Sequence, residues 1–404
     1  MKIKAVISVV VLLFLTVTIF GQTPTKWRGP QANGIYPDKG LLKVWPADGP
    51  QVLWQFEGLG QGFSTPVFTK DNIFVSGMSV DTGFMYKLTL AGKLVWKKMY
   101  GTEFKKQWPG ARSCPTVVGD KLYIETGTGH VCCMSSVDGK IIWSKELFTN
   151  FDGRQITWGV TENVVVDGDK LYVTPGGVKN GVVALNRNTG ATIWNCEAMG
   201  TKSAYCTPLL IDLPKCKLLV QMMAGNIVAI DRETGKKLWN YAWTNQYEVH
   251  ANTPIYFDKQ LFCFSGYGQG SVKFALADDG SMTKVWEGKF LDSKIGGAAL
   301  VNGFLYGSGD MANPAWQCVD WKTGEQKYAS KEIDNGNVIF ADGMLYCYTT
   351  KGILALVEAD PAAFKIVSKI KVTQGTEYHW AHLVINNGIL YLRHGNALVA
   401  YKIK

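Results

Sequence analysis

The five histidines of this chain have the widest choice of chemistry, because an imidazole can ligate a metal, move a proton or hydrogen-bond. Their spacing does not match a short zinc pattern such as HExxH or a CxxC pair. We therefore interpret them first as structural residues that cap strand ends and hydrogen-bond to loop carbonyls. Ligand contact and a zinc site are the alternatives. His382 and His394 are expected to meet, since they lie on neighbouring predicted strands. The five are His130, His250, His379, His382 and His394.

A second group combines aromatic planes with a cation and an amide. Such a set suits a small polar or anionic ligand, and aromatic faces can also stack on a sugar or another planar molecule. Tryptophan is equally common as a packing residue between repeats, so both interpretations stay open. The group consists of Arg112, Trp158, Tyr205, Asn252, Tyr267 and Trp380.

The elements that must position these residues follow from a repeat in which an aromatic residue stands four positions after a glycine. A period of this size is typical of an array of identical supersecondary units. The spacing is stretched by two from Gly280 to Trp286. The regular copies are Gly92 to Trp96, Gly139 to Trp143, Gly190 to Trp194, Gly235 to Trp239 and Gly324 to Tyr328.

Eight apolar triplets run in step with these glycines. Most follow a turn signal such as Asp167-Gly168 or Asn302-Gly303, which is typical of a tight hairpin with positive φ. Each triplet is therefore predicted to begin the second strand of a hairpin. The triplets start at Ile73, Leu122, Leu171, Leu218, Leu261, Leu305, Leu345 and Leu390.

Four short antiparallel strands per repeat predict an all-β fold, an eight-bladed β-propeller. The last unit has only three strands, and Gly49 to Gln55 resembles an outer strand without a blade of its own. We expect that segment to complete the last blade and so remove two sheet edges. Residues 49–404 are then the propeller, with seven blades as the alternative if one triplet is misread.

Loops that lead into the innermost strands of a propeller meet at one end of its channel, together with the loops that join second to third strands. We call this end the top face and the opposite end, with its tight turns, the turn face. Arg112, Trp158, His250, Trp380 and His382 all precede predicted innermost strands. The top face is therefore the predicted functional face.

The first 21 residues have the pattern of a secretory signal peptide, with Lys2 and Lys4 before an apolar run from Ala5 to Phe20. An uncleaved anchor is the alternative, and residues 22–48 form an N-terminal extension. Loss of the two lysines lowers the net charge from +9 to +7. The remaining lysines are scattered, which argues against nucleic-acid or membrane binding by the propeller.

The nine cysteines are an odd number for an exported chain, and most lie in predicted strands. We interpret them as buried free thiols and not as a disulfide framework. Neither a CxxCH sequence nor a serine elbow motif occurs. The glycine-rich segment from Gly266 to Gly270 lacks the strand and helix context of a nucleotide loop.

The chain resembles the pyrroloquinoline-quinone-like propeller repeat family, which includes quinoprotein alcohol dehydrogenases and the propeller lipoprotein of outer-membrane protein assembly. It is most similar to exported bacterial propellers with a Trp-Arg-Gly-Pro motif. The segments that carry the resemblance are Trp27 to Pro30, Pro109 to Ser113, Trp158-Gly159, His250 to Pro254, Gly266 to Gly270 and Asp342 to Tyr346.

The resemblance implies one set of site residues. In the quinoprotein relatives a glutamate, an asparagine and an aspartate hold Ca²⁺, the aspartate also acts as the base, and a tryptophan stacks on the quinone. Glu162, Asn252 and Asp292 occur in that order here, with Asp292 as the base and Trp158 as the stacking residue. Adjacent cysteines that stack on the ring in those enzymes lie in a loop. Cys132 and Cys133 fall in a predicted strand, which favours a core pair.

Two functions follow from this combination of residues. The favoured one is an exported, monomeric cell-envelope module for binding or scaffolding. It is predicted to hold a small polar ligand or a partner protein at the top-face channel mouth. Arg112, Trp158, Tyr205, His250, Trp380 and His382 are its predicted contacts. The alternative is a dehydrogenase of alcohols or sugars that depends on pyrroloquinoline quinone and calcium. Either would act in the periplasm or outside the cell.

Overall fold

The computed structural model describes residues 25–404, which form eight sheets arranged as an eight-bladed β-propeller. The four strands of each blade are antiparallel. The predicted fold class is confirmed. The predicted signal peptide, residues 1–21, lies outside the described residues. In the described part of the chain, no helix has the length and apolar character needed to cross a membrane.

Each blade is numbered in chain order, with its strands given from the channel outward. Blade 1 contains Val67–Phe68, Asn72–Ser79, Thr82–Thr89 and Leu94–Thr102. Blade 2 contains Thr116–Val118, Lys121–Glu125, His130–Ser135 and Ile141–Glu146. Blade 3 contains Val165–Asp167, Lys170–Val173, Val182–Asn186 and Thr192–Cys196. Blade 4 contains Leu209–Asp212, Lys217–Met223, Asn226–Asp231 and Lys237–Ala242.

The second half of the ring repeats this order. Blade 5 contains Ile255–Phe257, Gln260–Ser265, Gly270–Leu276 and Met282–Gly288. Blade 6 contains Ala299–Val301, Phe304–Ser308, Trp316–Asp320 and Gln326–Ser330. Blade 7 contains Gly336–Ala341, Met344–Thr349, Ile353–Glu358 and Ile366–Lys371. Blade 8 contains Val384–Asn386, Ile389–His394, Ala397–Lys402 and Val52–Glu57. Within residues 25–404 the helical segments are one α-turn, Leu147–Asn150, and one 3₁₀ turn, Ala198–Gly200.

The ring closes by pairing the two ends of the propeller sequence. Val52–Glu57 is hydrogen-bonded antiparallel to Ala397–Lys402, with Glu57 opposite Ala397. The first propeller strand therefore completes a blade whose other three strands are the last in the chain. This arrangement covers a sheet edge that would otherwise remain open.

The hydrophobic core lies between neighbouring blades. In blade 3, Leu171, Tyr172 and Val173 are at most 2% exposed. Leu171 packs in one cluster with Tyr123 of blade 2, whereas Tyr172 packs in another with Leu219 of blade 4. Successive residues of a strand point to opposite sheet faces, so one triplet serves two interfaces. Burial of each such side chain contributes roughly 1.5–3 kcal/mol.

The adjacent cysteines follow the same alternation. Cys132 and Cys133 are both fully buried in the third strand of blade 2. Cys132 packs with Phe74 of blade 1, and Cys133 packs with Leu171 of blade 3. The prediction of a core pair is confirmed. All nine cysteines are free thiols, and eight of them are buried.

The glycine and the aromatic residue of the repeat form one contact between blades. The outer-strand tryptophan lies over the glycine turn of the next blade, and a Cβ on Gly92 would lie 2.6 Å from the ring of Trp54. Its indole Nε1 donates a hydrogen bond to a carbonyl of the same turn, which ties the two blades together. These bonds run from Trp54 to Leu90, Trp96 to Val137, Trp143 to Arg187, Trp194 to Arg232, Trp239 to Gly280 and Trp286 to Trp321.

We expect Gly92→Ala to destabilise the protein more than Gly303→Ala. Both glycines have positive φ, +76° and +83°, so each alanine costs roughly 1–2 kcal/mol in backbone strain. Nothing lies within 4 Å of a Cβ on Gly303, whereas the Trp54 ring blocks one on Gly92. Overpacking should add about 1–3 kcal/mol at Gly92, measurable as the free energy of unfolding in urea. Equal losses for the two variants would contradict this role of the ring.

The N-terminal extension enters the channel from the turn face. Thr25 bridges Val117 of blade 2, and Ile35–Tyr36 pairs parallel with the innermost strand of blade 7. Between these two anchors the chain turns back, with hydrogen bonds from Ala32 N to Gly29 O and from Gly34 N to Arg28 O. We call residues 25–36 the plug. The sequence predicted an extension here and gave no sign that it fills the channel.

Candidate functional site

The top face carries a cavity of about 340 Å³, called the outer cavity below. Its wall is mainly aromatic, with two cations and no acidic residue. This combination offers ring faces for stacking and a positive potential for an anion. The lining residues are Phe63, Trp108, Arg112, Trp158, Thr161, Tyr205, Val249, Ala251, Tyr267, Lys294, Ile295 and Trp380.

The aromatic rings of the outer cavity are in contact with one another. The Trp158 ring centroid lies 6.2 Å from that of Trp108 and 6.1 Å from that of Tyr205. On the other side, Trp380 lies 6.1 Å from Trp108 and 5.0 Å from Phe63. Rings held at such distances support each other's orientation, so the wall is set before a ligand binds.

The two cations lie on different loops. The Arg112 Nη2 donates to the backbone carbonyls of Gln107 and Trp108 at 2.9 and 2.5 Å, and its Nε is buried without a partner. Burial lowers the pKa of Arg112 to about 10, which leaves it charged at neutral pH. The Lys294 Nζ lies 2.7 Å from a carboxylate oxygen of Asp310 and over the ring of Tyr267. Asp310 therefore offsets the charge of Lys294, whereas Arg112 has no carboxylate bonded to it among the described residues.

A smaller chamber of about 100 Å³, called the inner chamber below, lies deeper in the channel. It shares Phe63, Arg112, Thr161, Tyr205 and Ala251 with the outer cavity, so the two spaces adjoin. Its other lining residues are Trp27, Cys114, Asn163, Thr207 and His382.

A larger cleft of about 570 Å³ lies on the turn face. It is bounded by the plug and by the first turns of blades 5 and 6, and none of its lining residues is charged. Tight turns are selected for backbone geometry, so this lining offers less recognition chemistry than the top face. The cleft is lined by Pro30, Gln31, Asn33, Ile35, Pro37, Ile255, Tyr256, Phe257, Leu300, Asn302 and Gly303.

The structure divides the predicted contact residues into two groups. Four of them, Arg112, Trp158, Tyr205 and Trp380, line the outer cavity. His250 is instead fully buried below it, and burial lowers the pKa of its imidazole to about 4, so it is neutral. A buried neutral histidine outside the cavity lining serves packing, and nothing in its position offers it to a ligand.

His382 lines the inner chamber, and its two hydrogen bonds fix the tautomer of its ring. Its Nε2 lies 3.0 Å from the carbonyl oxygen of Ile295 and must donate the hydrogen bond. Its Nδ1 then accepts from the Arg28 Nη1 at 3.1 Å. Burial and the charge of Arg28 lower the pKa of His382 to about 3, so this neutral form persists at any physiological pH.

The expected meeting of His382 and His394 is wrong. His394 stacks on His379 with ring centroids 3.7 Å apart, while its ring nitrogens face the carbonyls of Gln374 and Glu377. The loop before blade 8 bends back over the end of its second strand and brings His379 there. Within residues 25–404, no group of three or more His, Cys, Asp and Glu side chains is placed to hold a metal ion.

The proposed calcium ligands have structural partners of their own. The two carboxylate oxygens of Asp292 accept hydrogen bonds from the backbone N–H groups of Gly268, Asp310 and Ala312, at 3.2, 2.7 and 2.7 Å. The Asn252 Nδ2 donates to the carbonyl of Ser293 at 2.5 Å. Asp292 and Asn252 thus anchor loops of the top face.

Glu162 belongs to a cluster of buried acids that sequence reasoning missed. Burial raises the pKa of Glu103 to about 7 and that of Glu162 to about 8. The pKa of Glu125 is raised further, because burial is joined by repulsion from Glu162 and Glu103. A signal was present, since the residue after the apolar triplet is polar in six of eight copies, and Glu125 is the acidic one.

We expect Glu162→Gln to weaken the pH dependence of stability. The folded-state pKa of about 8 exceeds the ordinary value of 4.5, so the neutral acid stabilises the fold at low pH. This stability is lost as the pH rises through about 8. Glutamine keeps the neutral form, so the variant should exceed the wild type in unfolding free energy at about pH 9 and not at about pH 5.

Denaturant unfolding at the two pH values measures this effect, with the exposed Glu332→Gln as the control. The control should follow the wild type at both. A wild-type stability that rises between these pH values and is unaffected by Glu162→Gln would contradict the neutral state of Glu162.

The fold is that of an eight-bladed propeller of pyrroloquinoline-quinone-like repeats. The family model described as outer membrane protein assembly factor BamB matches residues 38–147 and 82–330, and the chain belongs to this family. No curated protein sequence matches the chain significantly.

Solved structures with the same fold include a BamB and a dehydrogenase. BamB from Moraxella catarrhalis has a TM-score of 0.64 and 14% identity, covering 87% of this chain and 99% of its own. Quinohemoprotein alcohol dehydrogenase from Comamonas testosteroni has a TM-score of 0.65 and 12% identity, covering 95% of this chain and 80% of its own. At these identities the likeness concerns the fold, and one fold carries unrelated functions.

Proposed function

We propose that this protein is an exported cell-envelope propeller that binds a small polar or anionic ligand, or a partner protein, through the outer cavity. One observation carries the proposal: six aromatic rings and two cations, Arg112 and Lys294, line a concave space that has no acidic residue. Concave, largely apolar sites with a few polar groups are the usual form of a ligand site. The protein is proposed to act as a monomer.

The location in the envelope is part of the proposal. It is supported by the predicted signal peptide and by the family description, which names an outer-membrane assembly factor. The scaffolding variant draws support from exposed rings around the mouth, since Trp108, Tyr247 and Tyr378 are 39%, 46% and 44% exposed. Aromatic residues are enriched where protein interfaces form. The small-ligand variant is favoured because the remaining rings face a cavity.

Ligand identification from the native envelope tests the proposal. The purified protein is incubated with an envelope extract, washed, denatured and analysed by mass spectrometry for released small molecules. The matched control is Trp158→Ala, which removes a central ring of the cavity wall. A compound enriched on the wild type and lost from the variant supports the proposal. Compounds retained equally by both contradict it.

The second candidate function is dehydrogenation with pyrroloquinoline quinone and calcium, favoured by the fold shared with quinoprotein dehydrogenases. The cavity fits the planar part of that cofactor, since Trp158 and Trp380 offer ring faces and Arg112 offers a cation. The three predicted ligands do not fit the calcium part. The Asp292 carboxylate already accepts three backbone hydrogen bonds. No group of three or more His, Cys, Asp and Glu side chains in residues 25–404 is placed to hold a metal ion.

Dye reduction separates the two functions. The purified protein is given pyrroloquinoline quinone, Ca²⁺ and a primary alcohol or a sugar, and reduction of an artificial electron acceptor is followed. We expect no reduction above the rate without protein. Turnover that is lost in Asp292→Asn would establish the dehydrogenase and overturn the binding module.

A further inference from the structure

The plug lies directly below the proposed ligand cavity. Trp27, at the tip of the plug, lines the inner chamber and remains partly exposed although it lies within the channel. Its ring meets His382 edge to face at 5.1 Å. The inner chamber adjoins the outer cavity through shared lining residues, Arg112 among them. The channel is therefore blind, and Trp27 is its floor as seen from the top face.

Arg28 holds this floor in place. Its Nη2 donates to the carbonyls of Ala298 and Asn33 at 2.7 and 3.1 Å, and its Nη1 donates to His382. Gly297 and Gly34 pack so closely on the guanidinium that a Cβ on either would lie within 2.4 Å of it. The plug tip has no space to shift while Arg28 stays bound.

Two cations near the floor of the channel, Arg28 and Arg112, have no carboxylate bonded to them in the described part of the chain. Among residues 25–404, neither Arg28 nor Arg112 lies within ion-pairing distance of a carboxylate, and the acid nearest in effect to Arg112 is Glu103, whose pKa burial raises to about 7. The His382 ring between the plug and the chamber is neutral. Buried charges without a partner are costly, and an anion placed beside them would relieve that cost.

Arg112 marks the place of that anion, because its side chain lines both the outer cavity and the inner chamber. Its hydrogen bonds to the rest of residues 25–404 are those from Nη2 to the carbonyls of Gln107 and Trp108. Asn163 and Thr207 add polar groups to the inner chamber, whose volume of about 100 Å³ admits a small head group only. The aromatic outer cavity takes the rest of the molecule.

We propose that the plug is part of the ligand site and that the ligand is a planar monocarboxylate. Its carboxylate lies in the inner chamber between Arg112 and the Trp27 floor, and its planar body stacks among the rings of the outer cavity. This inference rests on the proposed function and adds the class of ligand and the role of the N-terminal segment.

Calorimetric titration with naphthoate and its neutral analogue naphthamide tests the inference on the full chain. Wild type should bind naphthoate at least about tenfold more tightly, a difference of about 1.4 kcal/mol. Arg112→Gln should abolish that preference. Trp27→Ala should weaken naphthoate binding by about tenfold or more, while Trp27→Phe, which keeps an aromatic floor, should bind within about threefold of the wild type. Equal affinities for the two probes, or unchanged binding by Trp27→Ala, would overturn it.

The design separates failure of this inference from failure of the proposed function. If both probes bind equally and Trp158→Ala abolishes both, the cavity remains a ligand site and the anionic head group is wrong. If neither probe binds to the wild type, the inference is overturned, and the extract experiment decides the proposed function alone. If Trp27→Ala does not fold, Arg112→Gln still tests the head group, and Trp27→Leu tests the aromatic floor in a folded protein.

Discussion

Deletion of residues 1–60 is expected to lower the melting temperature by about 10 °C or more, or to prevent soluble expression. The deletion removes Val52–Glu57, the outer strand of blade 8, and exposes the edge of Ala397–Lys402. It also removes Trp54, whose indole donates to Leu90 of blade 1. The loss of one strand therefore opens the interface between the first and last blades.

A matched deletion of residues 1–48 isolates the closing strand, because it removes the plug and keeps Val52–Glu57. The two proteins are compared by thermal unfolding. A synthetic peptide of residues 49–60 should raise the melting temperature of the longer deletion and leave that of the shorter one unchanged. If the longer deletion melts within about a degree or two of the shorter one, the closing strand does not hold the ring together.

Trp158→Ala is expected to weaken ligand binding by about thirtyfold or more, in line with loss of a central aromatic contact. Trp158 contacts the rings of Trp108, Tyr205 and Tyr247, and its face lines the outer cavity. The measurement is the fluorescence of anilinonaphthalene sulfonate, an aromatic anion, titrated with protein. Arg112→Ala should also weaken binding, since it removes a cation of the cavity wall.

Lys140→Ala and Lys236→Ala are the controls, because both lysines lie in turns on the opposite face. They should bind the probe as the wild type does, with the fold of every variant checked by circular dichroism. His250→Ala does not serve in this comparison, since it opens a void below the cavity and is expected to affect stability first. Loss of binding through the lysine variants alone would assign function to the turn face.

The sequence by itself determined the blades, because their signals are local. Apolar triplets, Asx-Gly turns and the glycine four positions before an aromatic residue recur at each repeat, and each reflects a hairpin or a contact between neighbouring blades. The count of eight followed from these markers. The face of the predicted site followed too, because loops at the same end of successive inner strands meet around the channel. Arg112, Trp158, Tyr205 and Trp380 were grouped for that reason.

The tertiary structure decided which side chains of those loops reach the cavity and which are buried below it. The loops before the inner strands have no periodicity, so the sequence does not show which of their side chains face the cavity. For this reason His250 and Asn252 were grouped with residues that line it. The plug is the clearest case. Arg28 binds Ala298 and His382 at separations of 270 and 354 residues, and no repeat marks its segment. Contacts of that range exist only after the ring has closed, so the floor of the site is a property of the folded propeller.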